Sequence, residues 1–446
     1  MKQKKYLIYG LAKSGESAFN LIYNKRDLFY LFDDNEQQRK SFDLKINTKP
    51  NVFVLKEIDK TILNKIDELI ISPAISIYND FVVYAKQQNK SVISELELGF
   101  RYCKNKIIAI TGTNGKTTTV NLLYDILKLA NKKVEKVGNI GTPLSSVVKN
   151  VKRKTILICE VSSFQLEGIK TFKPFMAGIL NITPDHIDRH KNFITYKKEK
   201  FKIFKNLNKK NKVVINSNLK IKNDCKIYKF STKKVKKGCF IKNKKIYFAS
   251  REKVEEICSI LDLPEQMRNK HNLENILSCI CFAKLLKIKN QYIKQAIQNF
   301  KLLPHRIQKI YETENKVFYD DSKATNIDAT IKAIKSFKNK EIILILGGSD
   351  KGYEYSQIFE NLTKNIVKVI SCGEVATKIY NTGKNFNIEV EKFLNLKEAT
   401  IFACKTVKPN QIVLLSPASA SFDEFNGYKE RGEKFLTYIK DYYEQT

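Results

Sequence analysis

Residues 106–130 read KIIAITGTNGKTTTVNLLYDILKLA, a short apolar run, a glycine-bearing loop and an amphipathic helix of about four turns. This order constrains the fold more than any other stretch. A buried strand that stops at glycines and restarts as a helix forms a phosphate-binding turn at the rim of a parallel sheet. Gly112, Thr113, Asn114 and Gly115 let backbone N–H groups curl around phosphate oxygens, and the helix start adds the positive end of its dipole. Lys116 is placed to neutralise the β and γ oxygens of a triphosphate, Thr117 to ligate Mg²⁺ through its hydroxyl, and Thr118 closes the loop. The usual spacing has a glycine at position 110, where this chain has Ile, so the loop is a variant. Metal-side partners are expected at the ends of neighbouring strands. Glu160 ends the run TILIC, and Asp185 and His186 follow MAGILNIT.

Short apolar runs alternate with helical stretches on both sides of this loop, the rhythm of parallel sheets. The start reads strand, turn and helix, with Gly10-x-Ala12-x-x-Gly15 as a Rossmann-like turn whose middle glycine is replaced. Asp33 and Asp34 end the next strand. That turn alone leaves a plain βα connection and a nucleotide site equally open. A third unit begins after LLPHR with KVFYDD, EIILILGG, IVKVISCG and QIVLLSP, and the segment FDEFNGYKERGEKFLTYIKDYY reads as helical. The expected fold is α/β in three domains: residues 1–94 Rossmann-like, 95–300 built on the phosphate loop, and 301–446 Rossmann-like.

The formal charge of +34 comes from 80 basic against 46 acidic side chains. Such an excess can mark a nucleic-acid binder. Here it is nearly all Lys, spread along the chain without an arginine strip or an aromatic run, so no nucleic-acid partner is expected. The densest stretch, 202–245, reads as solvated loops and strand edges, with strand-like runs at KVVIN, KIYKF and KKIYFAS. The nine cysteines form no CxxC pair and read as small buried hydrophobes rather than metal ligands. His186 and His190 have the spacing of a zincin pair, but Ile187 stands where the glutamate belongs. No apolar run approaches the roughly 20 residues of a membrane span, and the N-terminus lacks a signal-peptide pattern. A cytoplasmic protein without a membrane partner is expected.

Ten motifs in order, among them TGTNGKTTT, GNIG, EVSSFQL, NITPDHIDRH, YKKEK, HNLEN, LPHR, DDSKATN, LGGSDKG and SPASASFDEF, resemble the Mur ligase family of ATP-dependent amino-acid-adding enzymes. The resemblance runs from about residue 10 to 432. DSKATN and SPASASFDEF are similar to the members that add D-glutamate to UDP-N-acetylmuramoyl-L-alanine during peptidoglycan synthesis.

The resemblance implies three roles: a UDP-binding N-terminal domain, a central ATP domain and a C-terminal domain that brings the amino acid. It implies that Gly112–Thr118 cradle ATP, with Asn272, Asn275, Arg306, Asp321 and Lys323 closing around the nucleotide. Thr117 and Glu160 would hold one Mg²⁺; His186 would help hold a second, with Lys200 at the position of the family's carbamoylated lysine. Lys116, His186 and Lys200 are thus the expected catalytic set. Asn139 would touch the muramoyl substrate, with Ser14, Asp34, Ser72 and Pro73 as UDP-side candidates. Thr325, Lys351, Ser421, Phe422 and Tyr428 would surround D-glutamate. Lys13 and Asn35 depart from the family pattern in the UDP region. Because the nucleotide set spans two domains, closure is expected; nothing requires more than a monomer.

The rival readings are another amino acid in the same superfamily, a basic P-loop translocase and an oxidoreductase using the first turn. The translocase lacks its arginine strip, and the oxidoreductase lacks a nicotinamide reader.

Overall fold

The computed structural model describes residues 2–46, 49–301, 303–337 and 340–445. Three sheets follow one another along the chain. The first is fully parallel, β1 (Lys5–Tyr9), β2 (Leu28–Phe32), β3 (Val52–Val54), β4 (Glu68–Ile71) and β5 (Ser91–Ser94), in the order β3-β2-β1-β4-β5. Strand order reverses beside β1, so the turn after β1 and the one after β4 open onto the same crevice, where doubly wound sheets bind ligands. Leu7, Ile8 and Leu69 are fully enclosed there, as a sheet covered on both faces requires.

The second sheet holds nine strands: β6 (Lys106–Thr111), β7 (Val134–Gly138), β8 (Ile156–Glu160), β9 (Met176–Ile179), β10 (Lys212–Asn216), β11 (Lys226–Ser231), β12 (Gly238–Lys242), β13 (Lys245–Ala249) and β14 (Val254–Ser259). Their order is β14-β13-β12-β11-β10-β9-β6-β8-β7, parallel from β7 to β12 and antiparallel beyond. Strand β6 pairs with β8 on one side and β9 on the other, so the phosphate loop leaves the sheet at its own reversal point.

The strand-like runs KVVIN, KIYKF and KKIYFAS of the lysine-rich stretch are strands of this sheet, and the stretch lies deeper in it than the expected loops and edges. It builds β10, β11 and β12 inside the sheet, with Val213, Val214, Ile215, Phe230 and Cys239 buried and Lys226, Lys229 and Lys242 exposed. Asn243 and Lys244 take left-handed φ values of 48° and 57° to close the β12–β13 hairpin.

The third sheet joins β15 (Gln308–Thr313), β16 (Lys316–Asp320), β17 (Glu341–Gly347), β18 (Ile366–Cys372), β19 (Val390–Lys392) and β20 (Gln411–Ala418) in the order β15-β16-β20-β17-β18-β19. Only the β15–β16 hairpin is antiparallel. The last helix spans Tyr428–Gln445, shorter than its sequence suggests. The preceding FDEFNG is a loop because its carboxylates are engaged elsewhere: Glu424 accepts from the Leu396 N–H, and Asp423 Oδ2 accepts from the Glu374 N–H at 3.2 Å.

Contacts divide the chain into two compact units: residues 1–182 with 194–300, and residues 183–193 with 301–446. In the first, both sheets share one core that includes Leu31, Ile70, Leu96, Leu144, Leu157 and Ile179. Each such side chain contributes about 1.5–3 kcal/mol on burial. Glu97 fastens that core from within. Its carboxylate accepts from the N–H groups of Lys170, Thr171 and Phe172 and from Thr171 Oγ1, and pairs with Arg101. Burial is the largest single influence and raises the carboxyl, but these bonds together outweigh it and hold the group below its usual range.

Candidate active site

The phosphate loop is held open from beneath. Gly115 caps the helix Lys116–Leu129 at φ 84°, a conformation that disfavours any side chain. A Cβ there would also overlap the side chain of Asn275, which lies on the buried helix Lys270–Leu285. Asn181 pins the middle of the loop in both directions: Asn114 N–H donates to its Oδ1 at 2.9 Å, and its Nδ2 donates to the Asn114 carbonyl at 3.0 Å. Thr113 Oγ1 lies 3.0 Å from Tyr196 Oη.

Two ammonium groups converge on this loop. Lys116 Nζ donates to the Gly112 and Thr113 carbonyls at 2.7 and 2.8 Å. Lys200 Nζ donates to the same Gly112 carbonyl at 3.0 Å and sits over the Tyr196 ring. The Lys200 side chain is almost wholly enclosed, only 2% exposed. A lysine so desolvated, in a sequence dense with exposed ones, is built for a local purpose.

Glu160 closes β8 next to the loop. Its Oε1 accepts from Asn139 Nδ2 at 3.1 Å, and Oε2 is buried with no hydrogen-bond partner. An enclosed carboxylate oxygen left unpaired is costly unless a cation completes it, so this donor suits Mg²⁺, a hard ion that takes oxygen ligands. Thr117 lies in the first turn of the helix Lys116–Leu129, which packs on this strand.

The first sheet presents the UDP-side candidates at its reversal point. Gly10, at φ 94°, packs so closely on Ser72 that no Cβ fits. Asp33 Oδ2 accepts from the Leu11 N–H at 2.6 Å, so a carboxylate of the chain itself occupies that turn amide. Asp34 is exposed and receives the Tyr9 hydroxyl on both oxygens, at 2.8 and 2.9 Å. Ser14 lies in the first turn of helix Lys13–Ile22, and Lys13 Nζ donates to the Gly141 carbonyl of the GNIG loop that carries Asn139.

In the second unit, His305 and Ile307 take left-handed φ values of 62° and 47°, which turn LPHR back onto the end of β16. His305 Nδ1 lies 2.6 Å from Asp320 Oδ2. Asp321 is buried, and burial lifts its carboxyl to about 7 against the opposing Ser416 hydroxyl and Arg306 charge. Lys323 Nζ stands 3.9 Å over the Tyr428 ring, which also meets His305 edge-on, so Tyr428 gathers with the residues expected at the nucleotide. Lys351 Nζ donates to the Thr325 carbonyl at 3.0 Å, joining two of the residues expected at the amino acid. Ser421 is buried, whereas Phe422 is 74% exposed. His186 belongs to the short segment that groups with this unit and takes φ 53°.

Three residues escaped the sequence reading. Arg431 is a buried guanidinium whose donors meet Ser322 Oγ and the carbonyls of Ser322, Ser419 and Ala420, and burial lowers it to about 10. Gly432, one turn into the last helix, leaves room for the His305–Asp320 pair, which a Cβ would strike. Tyr196, inside ITYKKEK, shelters Lys200. Only the last had a signal in the sequence: an aromatic four residues before the lysine, on the same helical face.

The Mur ligase middle domain matches residues 110–283, and the Mur ligase glutamate ligase domain matches 305–419. The chain belongs to the Mur ligase family, whose members are ATP-dependent amide ligases. Among curated relatives, the UDP-N-acetylmuramoylalanine–D-glutamate ligases of Thermoanaerobacter sp. (strain X514) and Caldanaerobacter subterraneus subsp. tengcongensis are 36% and 37% identical to it. The alignments cover 98% of both chains in the first case and 99% in the second. The enzyme of that name from Streptococcus mutans is 35% identical over 98% of this chain and 97% of its own.

Solved structures share the fold at low identity. MurF from Acinetobacter baumannii superposes with a TM-score of 0.60 at 15% identity, over 98% of this chain and 93% of its own. UDP-N-acetylmuramate-alanine ligase from Thermotoga maritima gives 0.56 at 17% over the whole of both chains. The three-domain α/β arrangement is the one this family uses.

Proposed function

We propose that this chain joins D-glutamate to UDP-N-acetylmuramoyl-L-alanine with cleavage of ATP to ADP and phosphate. The observation that carries the reading is the loop Gly112–Thr118 with Lys116 and Lys200 on its carbonyls and the open oxygen of Glu160 beside it. Full-length similarity to the D-glutamate ligases supports the choice of amino acid.

The alanyl carboxylate is a poor acyl donor, so it first takes the γ-phosphoryl group, and the amine of D-glutamate then displaces phosphate from the acyl phosphate. Phosphoryl transfer needs positioning and charge neutralisation more than covalent help. The loop amides and Lys116 serve the β and γ oxygens. Glu160 and Thr117 would hold Mg²⁺, which supplies compensation for phosphate charge when bound. His186 and Lys200 would serve a second ion. A carbamate on Lys200 would turn a buried cation into an oxygen donor, which its enclosure favours.

On the nucleotide side, Asn272, Asn275, Arg306, Asp321 and Lys323 fit the role of closing groups. Thr325, Lys351, Ser421, Phe422 and Tyr428 fit D-glutamate capture, Asn139 the muramoyl substrate, and Ser14, Asp34, Ser72 and Pro73 the UDP moiety. The protein is read as a cytoplasmic monomer; among the described residues no helix is long and apolar enough to cross a membrane.

The test is incubation with UDP-N-acetylmuramoyl-L-alanine, ATP, magnesium and one amino acid at a time. Mass spectrometry of the product should show one added glutamate with D-glutamate, in step with ADP release. Phosphate release with L-alanine, L-lysine or diaminopimelate but not D-glutamate would overturn the assignment. For the carbamate, Lys200→Ala should lose turnover and regain part of it with short carboxylic acids; no rescue and no CO₂ dependence would remove it.

A further inference from the structure

Asp185 sits in the short segment between β9 and the helix Phe193–Phe201 and is buried against the second unit, to which that segment belongs. Its two oxygens are divided among several donors. Oδ2 receives Asn326 Nδ2 at 3.3 Å. Oδ1 receives the His186 N–H at 3.0 Å and the hydroxyl of Tyr353, and it faces Lys351 Nζ at 3.6 Å. Lys351 is tethered on its other side by the Thr325 carbonyl.

Tyr353 follows the LGGSDKG motif, and nothing in the sequence pattern marks it. Its ring is buried in the core that backs β17, with the Lys351 ammonium 5.7 Å from its centroid, and its hydroxyl reaches the polar cluster. The placement has a chemical consequence. An ammonium beside a buried carboxylate collapses into a full ion pair unless other donors share the oxygen it seeks. The tyrosine hydroxyl makes the closest contact with Oδ1, and Lys351 stands beyond hydrogen-bond distance of that oxygen.

We infer that the Tyr353 hydroxyl is a positioning group for amino-acid capture: by occupying Asp185 Oδ1 it keeps the Lys351 ammonium available to a carboxylate of the incoming amino acid. The inference rests on the proposed role of Lys351 at the amino acid. Tyr353 touches neither substrate nor reacting atoms and acts through Asp185 and Lys351.

The experiment compares steady-state kinetics of the full-length wild type, Tyr353→Phe, Asp185→Asn and the double variant. Tyr353→Phe keeps the buried ring and should fold with a Tm within about 4 °C of wild type. Its KM for D-glutamate should rise about tenfold, the usual weight of one charge-assisted hydrogen bond, while kcat and the KM values for ATP and the UDP substrate stay within about threefold. Asp185→Asn removes the charge that would trap Lys351, so adding Tyr353→Phe to it should change the D-glutamate KM by less than about twofold.

An unchanged D-glutamate KM in Tyr353→Phe, a parallel rise in all three KM values, or a full tenfold further rise in the double variant would each overturn the inference. Wild-type turnover is the separate control. If wild type accepts another amino acid instead, the proposed function falls, and the same comparison is read on the KM of that amino acid.

Discussion

Replacing Gly115 by Ala tests whether the phosphate loop depends on the space beneath it. Gly115 and Gly141 share almost the same backbone, φ 84° and 86°, but a Cβ at Gly115 strikes Asn275 whereas one at Gly141 meets nothing within 4 Å. Both alanine variants bear the left-handed penalty of about 1–2 kcal/mol. Gly115→Ala must in addition push aside a buried amide, which costs about 1–3 kcal/mol once its bonds are lost. The expected losses are therefore roughly 1–2 kcal/mol for Gly141→Ala and roughly 2–5 kcal/mol for Gly115→Ala. Urea denaturation followed by fluorescence of the tyrosines, read as midpoints, measures the difference. In the ADP-release assay, a loop displaced by about 1 Å should lower turnover about 100-fold in Gly115→Ala. Equal stability losses in the two variants, or Gly115→Ala turnover within about twofold of wild type, would refute the argument.

Glu160→Gln should lower ADP release by at least about 100-fold and raise the magnesium needed for half-maximal rate, because the unpaired oxygen is the metal's expected seat; an unchanged magnesium titration would count against it. Asp321 has its folded-state carboxyl lifted to about 7 from 3.8. The folded protein therefore holds a proton there that the unfolded chain releases, and this contribution is complete below about pH 4 and lost as pH rises through about 7. Asp321→Asn should remove that loss, so the stability difference between wild type and variant should change by on the order of 4 kcal/mol between these limits; parallel urea midpoints across the range would exclude it. Eight of the nine cysteines are buried, and burial raises the thiols of Cys258 and Cys404 to about 11 and about 12. The native protein should accordingly react with a thiol reagent at Cys103 first and slowly elsewhere, with all nine titrating in denaturant.

Much of the fold was legible because parallel strands buried on both faces read as unbroken apolar runs, as in KIIAI, TILIC and EIILILG. The strands that escaped notice were mostly edges. VEEICS and QKIYET carry charge on their exposed faces and look like loops until a neighbour is supplied. In the lysine-rich stretch the runs KVVIN and KIYKF were legible as strands, but the long charged side chains around them hid how far inside the sheet they lie.

At the site, local motifs gave the phosphate loop and its lysine, since strand, loop and helix are contiguous there. Arg431 and Gly432 were invisible because Ser322, which Arg431 meets, and the His305–Asp320 pair beside Gly432 lie more than a hundred residues away. A guanidinium on a helix reads as solvent-facing until the carbonyls that surround it are known. Tyr353 was hidden in the same way, its hydroxyl meeting an aspartate 168 residues earlier in the chain.

That aspartate belongs to a strip, residues 183–193, which is synthesised in the middle of the chain but finishes its packing only when residues beyond 301 exist. During translation the strip emerges well ahead of Tyr353, Asn326 and Lys351 and has to wait for them. A gene fragment cut at residue 300 would yield a C-terminal piece lacking the carboxylate around which its polar cluster is arranged. Chimeras between relatives should carry the strip together with the C-terminal half, or they will pair a foreign aspartate with a native lysine.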